Sequence, residues 1–136
     1  MVTEEEKNSI VAPSLTRKGV LGLIGNTPLV PIRRLNPNPN VLVLAKYEAV
    51  NPGGSIKARI ALRMIEAAEE SGELTPGKTI LEATSGNTGI GLALVATVKG
   101  YPIVLAMSEA VSLERRKILA ALGAEFLLPA PDRGTD

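Results

Sequence analysis

The sequence predicts an α/β protein built on an open, mostly parallel sheet of about four strands with flanking helices, preceded by an extended arm. Three observations carry this expectation. Short β-branched runs alternate with stretches of helical apolar spacing, each helical stretch stops at a glycine (Gly72, Gly100, Gly123), and the strand runs are apolar at successive positions. Strands separated by helices of ten or more residues join as parallel neighbours through right-handed crossovers. Unbroken apolar strands suit a sheet covered on both faces.

Residues 1–40 read as the arm. Pro13, Pro28, Pro31, Pro37 and Pro39 punctuate them, and Asn36-Pro37-Asn38-Pro39-Asn40 is a turn cluster. A short apolar stretch at 20–24 and a possible edge strand from Leu29 lie within it. Residues 41–136 form the regular unit. Its first strand, 41–47, is closed by Asn51-Pro52-Gly53-Gly54, and Ser55 is a plausible N-cap for a helix with apolar residues at 56, 60, 61, 64, 65 and 68. After the turn Thr75-Pro76-Gly77 comes a strand at 79–83, then the small-residue loop Thr84-Ser85-Gly86-Asn87 and a helix at 88–99. A third strand at 102–107, a third helix at 113–122 with Ser112 as N-cap, and a fourth strand at 124–128 complete the order. No internal repeat beyond the strand-helix alternation is visible.

Composition narrows the chemistry. The 136 residues include 15 Lys and Arg against 14 Asp and Glu, with no His and no Cys. That excludes disulfides, thiolate nucleophiles and Ser-His-Asp triads, and no metal site is expected, since carboxylates alone would have to build it. A net charge of +1, with Tyr47, Tyr101 and Phe126 as the only aromatic residues, argues against a nucleic-acid surface. Glu4, Glu5 and Glu6 stand where a secretory signal would be basic. The longest apolar stretch, 89–98, is far short of the roughly 20 residues that span a bilayer. A cytoplasmic protein is expected. An enzyme of this composition works with Lys, carboxylates, hydroxyls, backbone amides or a cofactor.

In parallel units every loop from strand into helix lies at the carboxyl edge of the sheet, where ligands bind. Residues 48–54, 84–87 and 108–111 are therefore expected around one crevice. Of the seven lysines, Lys57 alone follows a glycine turn within the first turn of a helix at that edge. A helix dipole and partial burial there would both disfavour an ammonium and free an amine nucleophile. The plain alternative is a solvated lysine on an amphipathic helix. A Walker A loop fails on spacing, because Lys57 stands three residues beyond Gly54.

The second candidate is Thr84-Ser85-Gly86-Asn87-Thr88-Gly89, whose amides and hydroxyls can converge on an anion such as a carboxylate. The alternative is a loop in which Ser85 or Asn87 caps a helix and the glycines permit close packing. A dinucleotide fingerprint is disfavoured, the glycines being spaced G-x-x-G-x-G. The segment 107–116 most simply gives a solvated helix face, or a mobile wall of the crevice.

Four ordered stretches together resemble the pyridoxal-phosphate enzymes of the cysteine synthase and cystathionine β-synthase family. They are Ile24-Gly25-Asn26-Thr27-Pro28-Leu29-Val30; Lys46-Tyr47-Glu48 running into Asn51-Pro52-Gly53-Gly54-Ser55-Ile56-Lys57-Ala58-Arg59; Glu82-Ala83-Thr84-Ser85-Gly86-Asn87-Thr88-Gly89-Ile90-Gly91; and Ser112-Leu113-Glu114-Arg115-Arg116. The Asn-Pro-Gly-Gly-Ser and Ser-Leu-Glu-Arg-Arg forms are closer to the cysteine synthase branch. Ala58, where many relatives have Asp, and Ser108, where Pro is usual, depart from the pattern without removing a chemical group.

The resemblance implies the N-terminal domain of a fold type II pyridoxal-phosphate enzyme, and it implies roles. Lys57 would hold the cofactor covalently and, once displaced, remove the α-proton of O-acetylserine. Asn87 would hydrogen-bond the cofactor's 3′-oxygen, and Thr84, Ser85, Gly86, Asn87 and Thr88 would take the amino-acid carboxylate. Loss of acetate and addition of sulfide would then give L-cysteine, with the cofactor as electron sink. Relatives are more than twice this length. The loop for the cofactor phosphate, a Ser facing the pyridine nitrogen and a substrate-contacting Gln are expected in a C-terminal domain beyond Asp136. A homodimer and the C-terminus of serine acetyltransferase are the partners implied. Cystathionine β-synthase-type replacement, a non-catalytic carboxylate- or peptide-binding fragment, and an inert half needing its complement are the alternatives.

Overall fold

The computed structural model describes residues 19–128, so most of the arm's first half, with Lys7 and Lys18, and the last eight residues lie outside the described residues. Five strands and three α-helices follow in order: β1 (Leu29–Pro31), β2 (Leu44–Lys46), α1 (Lys57–Ser71), β3 (Ile80–Ala83), α2 (Asn87–Lys99), β4 (Ile103–Ala106), α3 (Leu113–Ala121) and β5 (Glu125–Leu127). Short 3-10 helices occupy Gly19–Leu23 and Glu48–Val50.

The parallel α/β architecture is present as β3-β4-β5, with Ile80 opposite Ile103 and Val104 opposite Glu125. The first strand departs from expectation. The run 41–47 supplies only Leu44–Lys46, and this pairs antiparallel with Leu29–Pro31 of the arm in a separate two-stranded ladder. An antiparallel partner can be reached through the Asn-Pro turn cluster, whereas a parallel partner needs a long crossover. The parallel sheet thus has three strands, not four.

Helix ends follow from local sequence. Gly72 and Gly100 close α1 and α2 in the left-handed conformation, at φ 78° and 80°, which costs a glycine little. Ser112 caps α3 by accepting from the Arg115 amide. Ser55 sits one position earlier than a formal N-cap, since α1 begins at Lys57 after Ile56, yet its hydroxyl still accepts from the Lys57 amide at 3.2 Å.

All three helices share one core with a single face of the sheet. Ile103 and Leu105 of β4 pack with Ala61 and Ile65 of α1, Leu92, Ala93, Val95 and Ala96 of α2, and Leu119 of α3. Helices α1 and α2 run side by side in the same direction. Their starts meet where Gly91 approaches the Lys57 carbonyl, and their ends meet where Lys99 pairs with Glu69 at 2.5 Å. The opposite sheet face, expected to be covered, is open among the described residues: Leu81 is 65% and Leu127 54% exposed, Ala83 is exposed, and Val104 and Ala106 are half-buried. No helix among the described residues is long and apolar enough to cross a membrane.

Candidate active site

Lys57 is the first residue of α1 and is half-buried. Glycines set its position. A β-carbon on Gly91 would lie 2.9 Å from the Lys57 carbonyl oxygen and 3.1 Å from the Ala61 β-carbon. A β-carbon on Gly53 would stand 3.5 Å from that of Ala58 and 3.9 Å from the Gly91 α-carbon. The lysine loop is thus pressed against α2 one turn after Asn87. This contact differs from the one the sequence suggests: β2 is not in the parallel sheet, so residues 48–54 reach α2 through helix packing rather than along a shared sheet edge.

The lysines differ in what their amines touch. Lys46 donates to the Thr27 carbonyl at 2.6 Å, Lys78 to the Glu73 carbonyl at 2.6 Å, and Lys99 to Glu69. Among the described residues Lys57 and the exposed Lys117 have no partner for Nζ.

The loop at 84–87 leaves β3 level with the end of β4, the Thr84 amide donating to the Ala106 carbonyl at 3.1 Å. The Thr84 hydroxyl accepts from the Gly86 amide at 3.3 Å. Helix α2 then starts at Asn87 behind Gly86, with no side-chain cap. Neither Ser85 nor Asn87 caps it, so the first-turn amides of Asn87 and Thr88 keep the partial positive charge of a helix start. Ser85 and Asn87 are exposed, while Thr84, Gly86 and Thr88 are half-buried.

The segment 107–116 does more than form a solvated face. Arg115 Nη1 donates to the Ser85 carbonyl at 2.8 Å, and Arg116 donates to the carbonyls of Val111 and Glu109. Ser85, Ser108, Ala110, Val111, Ser112 and Arg115 line an open depression of about 530 Å³. Lys57 is not part of that lining.

A polar cluster beside Lys57 has no counterpart in the sequence reading. Thr27 (5% exposed) and Asn51 (3%) are the buried polar residues among those described. The Glu48 carboxylate accepts from the Thr27 hydroxyl (2.5 Å), Asn51 Nδ2 (2.8 Å), Arg59 Nε (2.7 Å) and Arg59 Nη2 (3.0 Å). Those donors, Arg59 first and Thr27 next, hold its pKa down to about 2. Asn51 also accepts from the Gly25 amide at 2.8 Å. The partners lie between 3 and 32 residues apart, a spread with no periodic signature. The local signal was Gly25-Asn26, where left-handed backbone occurs at φ 93° and 45°.

The pattern that defines the pyridoxal-phosphate dependent enzymes matches residues 20–134. The chain belongs to that family. It is 56% identical over 117 residues to the cysteine synthase of a Flavobacterium species, a match that covers 86% of this chain and 38% of the relative. It is 51% identical over 127 residues to the cystathionine beta-synthase of Rattus norvegicus, covering 92% and 22%. The solved cysteine synthase of Entamoeba histolytica superposes with a TM-score of 0.80 at 38% identity, covering 85% of this chain and 36% of that one. The chain therefore spans well under half the length of these pyridoxal-phosphate family members.

The residues present fit the family's cofactor. Among the described residues the Lys57 amine has no partner, and it stands beside a helix whose first turn has no side-chain cap and whose first residue, Asn87, is exposed. An aldehyde-bearing, oxygen-rich ring needs a primary amine and hydrogen-bond donors of this kind.

Proposed function

We propose that this chain carries the lysine-bearing part of a pyridoxal-phosphate enzyme performing β-replacement of the cysteine synthase type, making L-cysteine from O-acetylserine and sulfide. The observation that carries the reading is Lys57: first in its helix, seated on Gly91, its amine unclaimed among the described residues. The Asn-Pro-Gly-Gly-Ser and Ser-Leu-Glu-Arg-Arg forms support the cysteine synthase branch, which identities of 56% and 51% do not separate from the cystathionine branch.

In this reading Lys57 Nζ bears the cofactor and, when freed from it, takes the α-proton of the substrate. Asn87 orients the cofactor through its carboxamide. Thr84, Ser85, Gly86, Asn87 and Thr88 receive the substrate carboxylate with hydroxyls and helix-start amides, which favour an anion. The bound cofactor supplies an electron sink for the charge left at the α-carbon. Residues 1–40 serve as the arm and 41–136 as the lysine-bearing unit, and a further C-terminal unit supplies the site for the cofactor phosphate. A homodimer is the assembly this reading takes.

The test is covalent. The chain is mixed with pyridoxal phosphate, reduced with borohydride and mapped by peptide mass. Adduct concentrated on Lys57 and lost in Lys57→Ala supports the reading. Adduct spread evenly over Lys57 and Lys117 overturns it.

The uncapped start of α2 favours a second reading, a non-catalytic site for a carboxylate such as a peptide C-terminus, with that of serine acetyltransferase as the partner type. Binding of an acidic-ended peptide that disappears in Thr84→Ala and Thr88→Ala, without any Lys57 adduct, would select it.

A further inference from the structure

The cluster around Glu48 takes no part in the chemistry proposed for Lys57, yet it fastens the chain on both sides of that lysine. Six residues before Lys57, Asn51 is held by the Gly25 amide and by Glu48, whose carbonyl and Oε2 both accept from Asn51 Nδ2 at 2.8 Å. Two residues after it, Arg59 sets its guanidinium on the same carboxylate through Nε and Nη2. A fork of two charge-assisted hydrogen bonds fixes orientation as well as distance. Thr27 closes the ring, donating to Glu48 and accepting from Arg59 Nη2 at 3.0 Å.

Between these two fastenings the chain is held only by short-range turns, the Gly54 amide donating to the Asn51 carbonyl at 2.7 Å and the Lys57 amide to the Ser55 hydroxyl at 3.2 Å. Pro52 is followed by Gly53 and by Gly54 at φ 69°, and α1 begins only at Lys57. Glycines in a loop carry the largest conformational freedom. On the far side Gly91 blocks movement of the Lys57 carbonyl toward α2. The backbone under Lys57 is thus limited by packing on one side and by the Glu48 hydrogen bonds on the other.

We propose that Glu48 is a positioning residue for Lys57: by clamping Asn51 and Arg59 to one carboxylate, it fixes the first turn of α1 and so the point from which the Lys57 amine reaches its partner. The inference rests on the reading of Lys57 as the reactive lysine. It makes that lysine's reactivity depend on a carboxylate that never touches it. The Gly25-Asn26 turn belongs to the same device. A β-carbon at Gly25 would stand 3.0 Å from Arg59 Nη1, so the guanidinium has its place only because residue 25 carries no side chain.

The experiment labels the lysines of the whole chain with trace acetic anhydride and reads each by peptide mass, with Lys117 as the internal reference and Lys99 as a distant control. Glu48→Gln, Arg59→Lys and the near-isosteric Thr27→Val are compared with the parent. Releasing the clamp loosens the half-buried Lys57, so the Lys57 to Lys117 ratio rises about threefold in Glu48→Gln through local opening, while the Lys99 ratio stays fixed. Borohydride-trapped pyridoxal phosphate on Lys57 moves the opposite way, falling about tenfold, because a displaced amine loses its orientation. Loss of fold would raise both Lys57 and Lys99. In that case Thr27→Val, which removes the hydroxyl that donates to Glu48 and accepts from Arg59, decides: a smaller rise confined to Lys57 supports the proposal, and an unchanged ratio overturns it. A Lys57 ratio unchanged in folded Glu48→Gln overturns it as well. If the parent itself forms no Lys57 adduct, the cofactor reading fails while the acetylation ratios still report on the clamp.

Discussion

Gly91 faces the carbonyl oxygen of Lys57 across the closest approach of two helices, with room for a hydrogen and none for a methyl group. A β-carbon there would lie 2.9 Å from that oxygen, and the oxygen belongs to backbone, which cannot rotate away as a side-chain tip can.

Gly91→Ala therefore destabilises the chain. Overpacking against backbone costs about 1–3 kcal/mol, and the gain in helix propensity offsets at most about 1 kcal/mol of it. Gly89→Ala is milder, since the atoms it meets at 3.0 and 3.3 Å are side-chain methyls of Thr84 and Leu105. Urea midpoints of the two variants should rank in that order, and equal midpoints would refute the backbone argument.

Acid stability should carry the mark of Glu48. Its pKa falls from 4.5 to about 2 on folding, so between those values the unfolded chain binds a proton that the folded chain refuses. Stability then rises with pH across that window. The contribution is fully present above about 4.5 and is lost as pH falls through about 2. Glu69, lowered by Lys99 and then Tyr101, and Glu114 act in the same sense. Denaturant titrations from pH 5 to pH 2 should give a shallower slope for Glu48→Gln than for the parent.

The far ends of α1 and α2 are joined by Glu69, which accepts from Lys99 and, at 2.9 Å, from the Tyr101 hydroxyl. Burial and then Glu69 raise the Tyr101 pKa, so the phenol remains a donor through neutral pH. Tyr101→Phe should lower the urea midpoint by less than Gly91→Ala does, because it removes one hydrogen bond to a charged group at a site that solvent partly screens. A double-mutant cycle with Glu69→Gln should show most of that loss as coupling.

Arg115 holds the Ser85 carbonyl from the first turn of α3. Arg115→Ala should speed amide hydrogen exchange at Gly86 and Asn87 while global stability moves by no more than about 0.5 kcal/mol, as for other exposed positions. Unchanged exchange at those two amides would remove Arg115 from any role in ordering the loop.

Much of this was legible from residue order. Glycine stops, the Ser112 cap and the strand runs after residue 78 mark the parallel sheet and its helices because each is a local rule, and Lys57 and the 84–88 loop stand out by their place between strand and helix. The pairing of Leu44–Lys46 with the arm was hidden, since strand propensity names no partner. Glu48, Asn51, Thr27 and Arg59 were hidden for a related reason. Each reads alone as an ordinary polar residue, and only the folded chain brings them to one carboxylate.

The open face of the parallel sheet also governs how the chain responds to temperature. Among the described residues Leu81, Ala83 and Leu127 are already largely hydrated before unfolding, so they add less to the heat capacity gained in the transition. The chain should fall below the roughly 12–15 cal/mol/K per residue of ordinary domains. Its stability curve is correspondingly flat, changing little on cooling, and any polypeptide that dried that face would restore the missing curvature.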